Sequence, residues 1–292
     1  MAAMPNLIRV LTILVVVVTV LGLVVLKTPS GPAAVTAALG SCSFEQIRQE
    51  QRLPQLRREM LERSQKVRDE GKYQLWSTPQ GEFYYLGPLT SVDAMVLAEE
   101  ELDIYGTTRI KSGSIVLDCG ANYGTFTRRA LERGAAKVIA IEINPESAES
   151  LRRTFAKEVG EGRVIVYAKG VWDKETELDL RGDSVVMQRE GPPLRLPVTT
   201  IDQIVSELQL SSVDFIKMDI EGAEKNALRG AEATLGKFTP ALAISSEHLP
   251  DDVERIPALV NQLVPGRYRT EYAYCLFDRP FHAKPNALHF SR

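Results

Sequence analysis

Cysteine is scarce in this chain. Cys42, Cys119 and Cys275 are the three in 292 residues, too few and too scattered for a disulfide framework or a C-x-x-C zinc site, and they read as reduced thiols. A basic surplus is also missing. The formal net charge is −3, and residues 1–72, with ten Lys or Arg against six Asp or Glu, carry +4, which leaves −7 on residues 73–292. Binding to a phosphate backbone runs on clustered Lys and Arg that release counterions, so this acidic body excludes nucleic acid as an expected partner. Internal repeats are absent, and 44% hydrophobic with 25% charged residues excludes a collagen-like or disordered chain. One α/β domain of roughly 200 to 250 residues, or two small ones, would fit this length, so motifs must decide.

A long apolar run is present at the amino-terminal end. Val10 to Leu26 contains 17 residues without a charge, and Leu7 and Ile8 extend it if Arg9 snorkels. As a helix it would cover about 26 to 30 Å, close to the hydrocarbon thickness of a bilayer. A membrane anchor over residues 7–26 is therefore expected. The rival is a signal peptide cleaved near Val35-Thr36-Ala37, but the run exceeds the usual apolar length of about 7 to 15 residues and the triplet lies well beyond its end. Arg9 on one side and Lys27 on the other barely choose an orientation. Leu39-Gly40-Ser41-Cys42 is similar to an acylation site but lies far from the apolar run, so Cys42 reads as an ordinary linker residue. The division expected is an anchor over 1–27, a linker and charged helical stalk over 28–72, and the main domain over 73–292. Within the stalk, Phe44 to Glu70 has apolar residues at helical spacing.

From Gly113 onward, short apolar runs alternate with helical patterns. Strands are expected at Ile115–Asp118, Lys137–Ile143, Arg163–Ala168, Phe215–Asp219 and Ala241–Ser245, each but the third followed by a helical stretch. That alternation implies right-handed crossovers and a doubly wound, mostly parallel α/β sheet. Thr176 to Val198 interrupts it and reads as a hairpin excursion. Ligands of such sheets sit beyond the carboxyl ends of the strands, so chemistry is sought after Asp118, Glu142, Ala168, Asp219 and Ser245.

The first strand opens into Asp118-Cys119-Gly120-Ala121-Asn122-Tyr123-Gly124. Gly120 permits close backbone approach and Asn122 tolerates a left-handed conformation. Two of the three glycines of a G-x-G-x-x-G fingerprint are missing, which argues against a dinucleotide dehydrogenase. Glu142 ends the second strand, where a carboxylate can take both ribose hydroxyls as donors. Together these features suit a cofactor without phosphates and with a cationic amino-acid part, such as S-adenosylmethionine (AdoMet), with Asp118 facing its ammonium or water shell.

The motifs Val116-Leu-Asp-Cys-Gly-Ala-Asn-Tyr-Gly124, Val198-Thr-Thr-Ile-Asp202, Phe215-Ile-Lys-Met-Asp-Ile-Glu-Gly-Ala-Glu224 and Leu228-Arg-Gly-Ala231 resemble the FkbM family of AdoMet-dependent methyltransferases over about residues 100 to 250. The resemblance implies a class I methyltransferase fold and methyl transfer to oxygen, typically a hydroxyl of a sugar, glycan or other metabolite. It places the cofactor against Asp118, Gly120, Asn122, Gly124 and Glu142, with Ala121 and Ile143 completing the candidate set. Asp219 is the first candidate for proton acceptor, with Glu221 and His248 beside it at the same sheet edge. Lys217 is expected to pair with one of the neighbouring carboxylates. Glu224 is read equally as catalytic or as a first-turn helix carboxylate. A divalent ion such as Mg2+ held by Asp219, Glu221, Glu247 and His248 is an alternative, but oxygen ligands of unknown geometry are a weak warrant and no metal is expected. His282 and His289 read as structural. Because AdoMet is made in the cytosol, the catalytic body is expected to face that side. The contrasting reading is a tethered cofactor-binding or protein-interaction module without turnover.

Overall fold

In this computed structural model the structure describes residues 42–180, 194–279 and 282–292. The anchor expected at 7–26 lies outside them. Among the described residues, no helix is long and apolar enough to cross a membrane.

Helix α1 (Phe44–Arg63) leads into an antiparallel meander of β1 (Gln65–Glu70), β2 (Tyr73–Thr78) and β3 (Gly81–Leu86), followed by α2 (Ser91–Glu101). The stalk helix therefore stops at Arg63, where the sequence reading had carried it to Glu70. Its last residues instead pair with β2, Glu70 opposite Tyr73. The meander packs against a later helix of the main domain: the Tyr84 amide donates to Thr154 Oγ1 at 3.0 Å, and Arg153 pairs with Glu70 at 2.9 Å. Burying β2 and β3 there outweighs the helical spacing of the apolar residues before them.

The main sheet then forms from β4 (Ile115–Cys119), α3 (Thr125–Glu132), β5 (Lys137–Ile141), α4 (Pro145–Thr154), α5 (Ala156–Gly160) and β6 (Val164–Tyr167). An excursion of β7 (Gly170–Val171), β8 (Thr176–Leu180) and β9 (Leu194–Thr199) makes its own small sheet, with β8 and β9 antiparallel as the hairpin expectation had it. The chain returns through α6 (Ile201–Glu207), β10 (Phe215–Met218), α7 (Glu224–Arg229), α8 (Glu232–Phe238), β11 (Ala241–Ser245) and α9 (Asp252–Leu263), and ends in β12 (Arg269–Arg279) and β13 (His282–Ser291).

The seven strands are ordered β12-β13-β11-β10-β4-β5-β6. From β4 the chain winds outward to β6, then comes back to β10 on the other side of β4, so strand order reverses between β4 and β10. That reversal opens a crevice at the carboxyl ends of the two strands. The pairs β4–β5, β5–β6, β4–β10 and β10–β11 are parallel, and β13 runs antiparallel to β11.

Alternate residues of the central strands meet the two sheet faces. Leu117, Ile139, Ile216, Ile244 and Leu288 share a core with Ile204, Leu228, Leu235 and Ile256 of the covering helices. On the opposite face Phe215 stacks near Phe126 of α3, ring centroids 5.9 Å apart. Coverage on both faces explains why the strands read as unbroken apolar runs.

Two compact units are distinguishable: Leu53–Ala273 with Asn286–Arg292, and the described residues up to Arg52 with Tyr274–Pro285. Within the second, Cys42 and Cys275 form a disulfide with Cα atoms 6.3 Å apart. The expectation of three reduced thiols is thereby corrected. Sequence spacing hides a pairing 233 residues apart, which only the fold brings within bonding reach. Cys119 alone is free, and it is buried.

Candidate active site

The loop Gly120–Gly124 lies at the reversal point. Gly120 has φ +77°, and a Cβ there would stand 1.9 Å from the Asp219 carbonyl oxygen, so the ends of β4 and β10 approach more closely than any side chain permits. The amides of Gly120 and Ala121 both donate to the Ile141 carbonyl at 3.0 Å, and Gly124 donates to Ala121 at 2.8 Å. The Asn122 amide donates to Glu142 Oε2 at 2.8 Å. These amides are consumed inside the protein, so the loop does not present the fan of N–H groups that a pyrophosphate requires.

What the loop offers is acceptors. Glu142 is buried and takes one amide on each oxygen, from Asn122 and from Asn144, both at 2.8 Å. This fixes the carboxylate plane and leaves each oxygen a further lone pair. Burial pushes the Glu142 carboxyl up, against the pull of the two amides. Asn122, held at φ +48°, has a buried Oδ1 with no hydrogen-bond partner. A donor-rich ligand carrying hydroxyls and an ammonium satisfies these atoms, whereas a phosphate would repel them; the residues present fit AdoMet. Ala121 is buried, and Ile143 is half-buried against Gly170.

Beneath the loop sits a buried ion pair. Asp118 and Lys217 are register partners on the parallel strands β4 and β10, so their side chains leave the same face. Lys217 Nζ lies 3.5 Å from Asp118 Oδ1 and 3.9 Å from Asp219 Oδ2, and donates to the Gly120 carbonyl at 2.8 Å. Thr127 of α3 donates to Asp118 Oδ2 at 2.6 Å. Burial works against the Lys217 ammonium, but the Asp118, Asp219 and Glu100 carboxylates outweigh it and raise its pKa above the ordinary lysine value. Asp118 is fully enclosed. Lys217 is its nearest cation and Thr127 its hydrogen-bond donor, while Oδ1 has no hydrogen-bond partner among the described residues.

Asp219 stands at the mouth, with about a third of its side chain exposed. Its Oδ2 accepts the Tyr105 hydroxyl at 2.9 Å, while Oδ1 faces His248 Nε2 at 3.5 Å. His248 Nδ1 lies 3.0 Å from Glu224 Oε1, which also accepts the Ile220 amide at 2.9 Å, and Glu221 Oε2 is 3.9 Å from His248 Nε2. Burial opposes the imidazolium, but the hydrogen bond to Glu224 and the charges of Glu224, Asp219 and Glu221 hold it protonated to about 9. His248 is therefore a cation balancing three carboxylates at neutral pH. Glu224 is a buried structural acceptor. Glu221 adopts φ +57°, a left-handed conformation unusual for a side chain of its size. Among the described residues, no group of three or more His, Cys, Asp or Glu side chains could hold a metal ion.

Two contributors escaped the sequence reading. Tyr105 precedes β4, outside every motif, and reaches Asp219 only through the fold. Glu99 sits near the end of α2, whose start is marked by the capping box Thr90-Ser-Val-Asp93, with both reciprocal bonds formed. Burial, and then the Asp219 and Glu247 carboxylates, push Glu99 up to about 8. The capping box was a legible signal for that helix, though not for where its acidic end would lie. His289 is buried against the Ile104 carbonyl at 2.9 Å and pushed down to about 4 chiefly by burial, a structural role as expected.

The strand order β12-β13-β11-β10-β4-β5-β6, with β13 antiparallel to β11, makes this a class I methyltransferase-like α/β fold. Residues 118–272 match the methyltransferase FkbM domain, and the chain belongs to that family. Among curated relatives it is similar to the 2-O-methyltransferase NoeI of Sinorhizobium fredii (strain NBRC 101917 / NGR234), 28% identical over an alignment of 148 residues that covers 44% of this chain and 61% of NoeI. Among solved structures it is similar to the methyltransferase FkbM of Methylobacillus flagellatus KT, with 17% identity, TM-score 0.47, and 85% of this chain and 60% of that one covered. It is also similar to the precorrin-6y C5,15-methyltransferase of Geobacter metallireducens GS-15, with 14% identity, TM-score 0.40, and coverages of 66% and 86%.

Proposed function

We propose that this methyltransferase is AdoMet-dependent, transfers its methyl group to oxygen, and is tethered to a membrane through residues 7–26. The acceptor is a hydroxyl of a sugar, glycan or other metabolite. The observation that carries the reading is the division of the site into an acceptor-lined cofactor loop and, across the β4–β10 reversal, a partly exposed carboxylate at Asp219. AdoMet, when bound, supplies a methyl group on a sulfonium that is already activated for in-line displacement. Glu142 and Asn122 are the residues that would hold it, through its hydroxyl and ammonium donors. Asp219, with Oδ2 accepting from Tyr105, Oδ1 3.5 Å from His248 Nε2 and about a third of its side chain exposed, is the group that orients the acceptor hydroxyl and takes its proton in this reading. His248, held charged by Glu224, offsets the negative charge of Asp219 and Glu221 and so keeps the carboxylates together. Alignment of donor and acceptor accounts for most of the rate enhancement in such a site.

The 2-O-methyltransferase description of NoeI supports the choice of oxygen. Calorimetric titration with AdoMet tests the cofactor assignment: Glu142→Ala weakens binding about tenfold or more, while Asp219→Asn leaves it unchanged. Comparison of methylated metabolites and glycans, with the wild-type chain against Asp219→Asn, identifies the acceptor. If the wild-type chain binds AdoMet but no methylated product distinguishes it from the variant, the chain is a cofactor-binding module and the enzymatic reading is wrong.

A further inference from the structure

We infer that the catalytic body works on the non-cytosolic side of its membrane, in an oxidising compartment, and that its acceptor is a hydroxyl-bearing molecule displayed there. The membrane part of this inference rests on the anchor proposed above; the compartment rests on the cysteines. Cys42 and Cys275 are joined, and both are buried, 2% and 0% exposed. Disulfides form and persist in secreted, luminal and periplasmic proteins and are rare where glutathione and thioredoxin keep thiols reduced. The pairing is also protected from exchange. Cys119, the remaining thiol, is completely enclosed in the sheet, and burial raises its pKa, so it supplies no thiolate to attack the bond.

The compartment of Cys42 is the compartment of the active site. Between Cys42 and Arg292 no described helix can cross a membrane. Residues 181–193 number too few for a span of about 20 residues and include Arg181, Asp183, Arg189 and Glu190. Asp219 and Glu142 thus lie on the same side as the bonded cysteines, and the residues before the anchor lie in the cytosol. This reverses the cytosolic placement expected from where AdoMet is made. Its consequence is a requirement for supply: AdoMet, with a fixed sulfonium charge, cannot cross hydrocarbon unaided, so a carrier must deliver it to this side.

The experiment uses the full-length chain in sealed, cytosol-side-out membrane vesicles from the cells that express it. Denatured, quenched samples are reacted with a maleimide-polyethylene glycol reagent before and after reduction, and intact vesicles are treated with trypsin with and without detergent. The expected result is one adduct before reduction and three after, with the body resisting trypsin until detergent is added. Three adducts without reduction, or digestion of the body in intact vesicles, overturns the inference. Carbonate extraction separates it from the anchor reading: a chain released by carbonate, still giving one adduct before reduction and still enclosed, refutes the anchor and sustains the compartment. AdoMet titration of the same preparation tests the cofactor reading independently.

Discussion

Lys217→Met is the substitution for which the structure yields the firmest magnitude. The side chain is about 5% exposed and its ammonium lies 3.5 Å from an Asp118 carboxylate that is wholly buried. Methionine matches the length of the stem and fills the same volume, so the change removes the charge and the hydrogen bond to the Gly120 carbonyl with little cavity. What remains is a buried carboxylate whose only hydrogen-bond donor among the described residues is Thr127. Breaking a buried pair from one side costs about 3 to 5 kcal/mol, because the desolvation of the surviving charge is no longer offset. For a domain of this size that corresponds to a fall in Tm of roughly 6 to 20 °C. Thermal denaturation of the full chain in detergent, followed by Trp76 and Trp172 fluorescence, measures it. The double variant Lys217→Met with Asp118→Asn removes the stranded charge and keeps an acceptor for Thr127, so it recovers part of the loss. A single variant within about 1 kcal/mol of wild type, or a double variant no more stable than the single, refutes the account of a charge pair holding the loop.

Other outcomes follow from single contacts. Gly120→Ala puts a methyl 1.9 Å from the Asp219 carbonyl at a positive φ, so it costs more than the roughly 1 to 2 kcal/mol of the left-handed backbone alone and also weakens AdoMet binding, read by denaturation and calorimetry. Thr127→Val leaves Asp118 Oδ2 without its donor and lowers stability by about 1 to 3 kcal/mol in the same denaturation assay. His248 is protonated up to about 9 when folded and to 6.5 when unfolded, so its contribution is fully present below pH 6.5 and fades as pH rises through 9. His248→Gln removes that contribution, on the order of 3 kcal/mol. The Tm gap between wild type and variant therefore narrows from pH 6 to pH 9.5, and a constant gap contradicts the charged imidazole. Cys42→Ser with Cys275→Ser lowers stability by about 2 to 5 kcal/mol, measured against wild type under non-reducing conditions.

Much of this molecule is determined locally and is legible in the sequence. The parallel strands announce themselves because a sheet covered on both faces demands unbroken apolar runs, and the loop after Asp118 announces itself because Gly120 and Asn122 are residue types that accept left-handed backbone. Asp219, Glu221 and His248 were identifiable as neighbours because each follows a parallel strand at the same edge. Tertiary structure alone decided the rest. Which cation lies beside a buried carboxylate depends on which strand is its neighbour, and the return of β10 to the flank of β4 made Lys217 the partner of Asp118. Tyr105 reaches Asp219 from a segment that shares no period or motif with the site. The protonation of His248 and the bond between Cys42 and Cys275 likewise depend on distances between groups far apart in the chain, which local spacing does not encode.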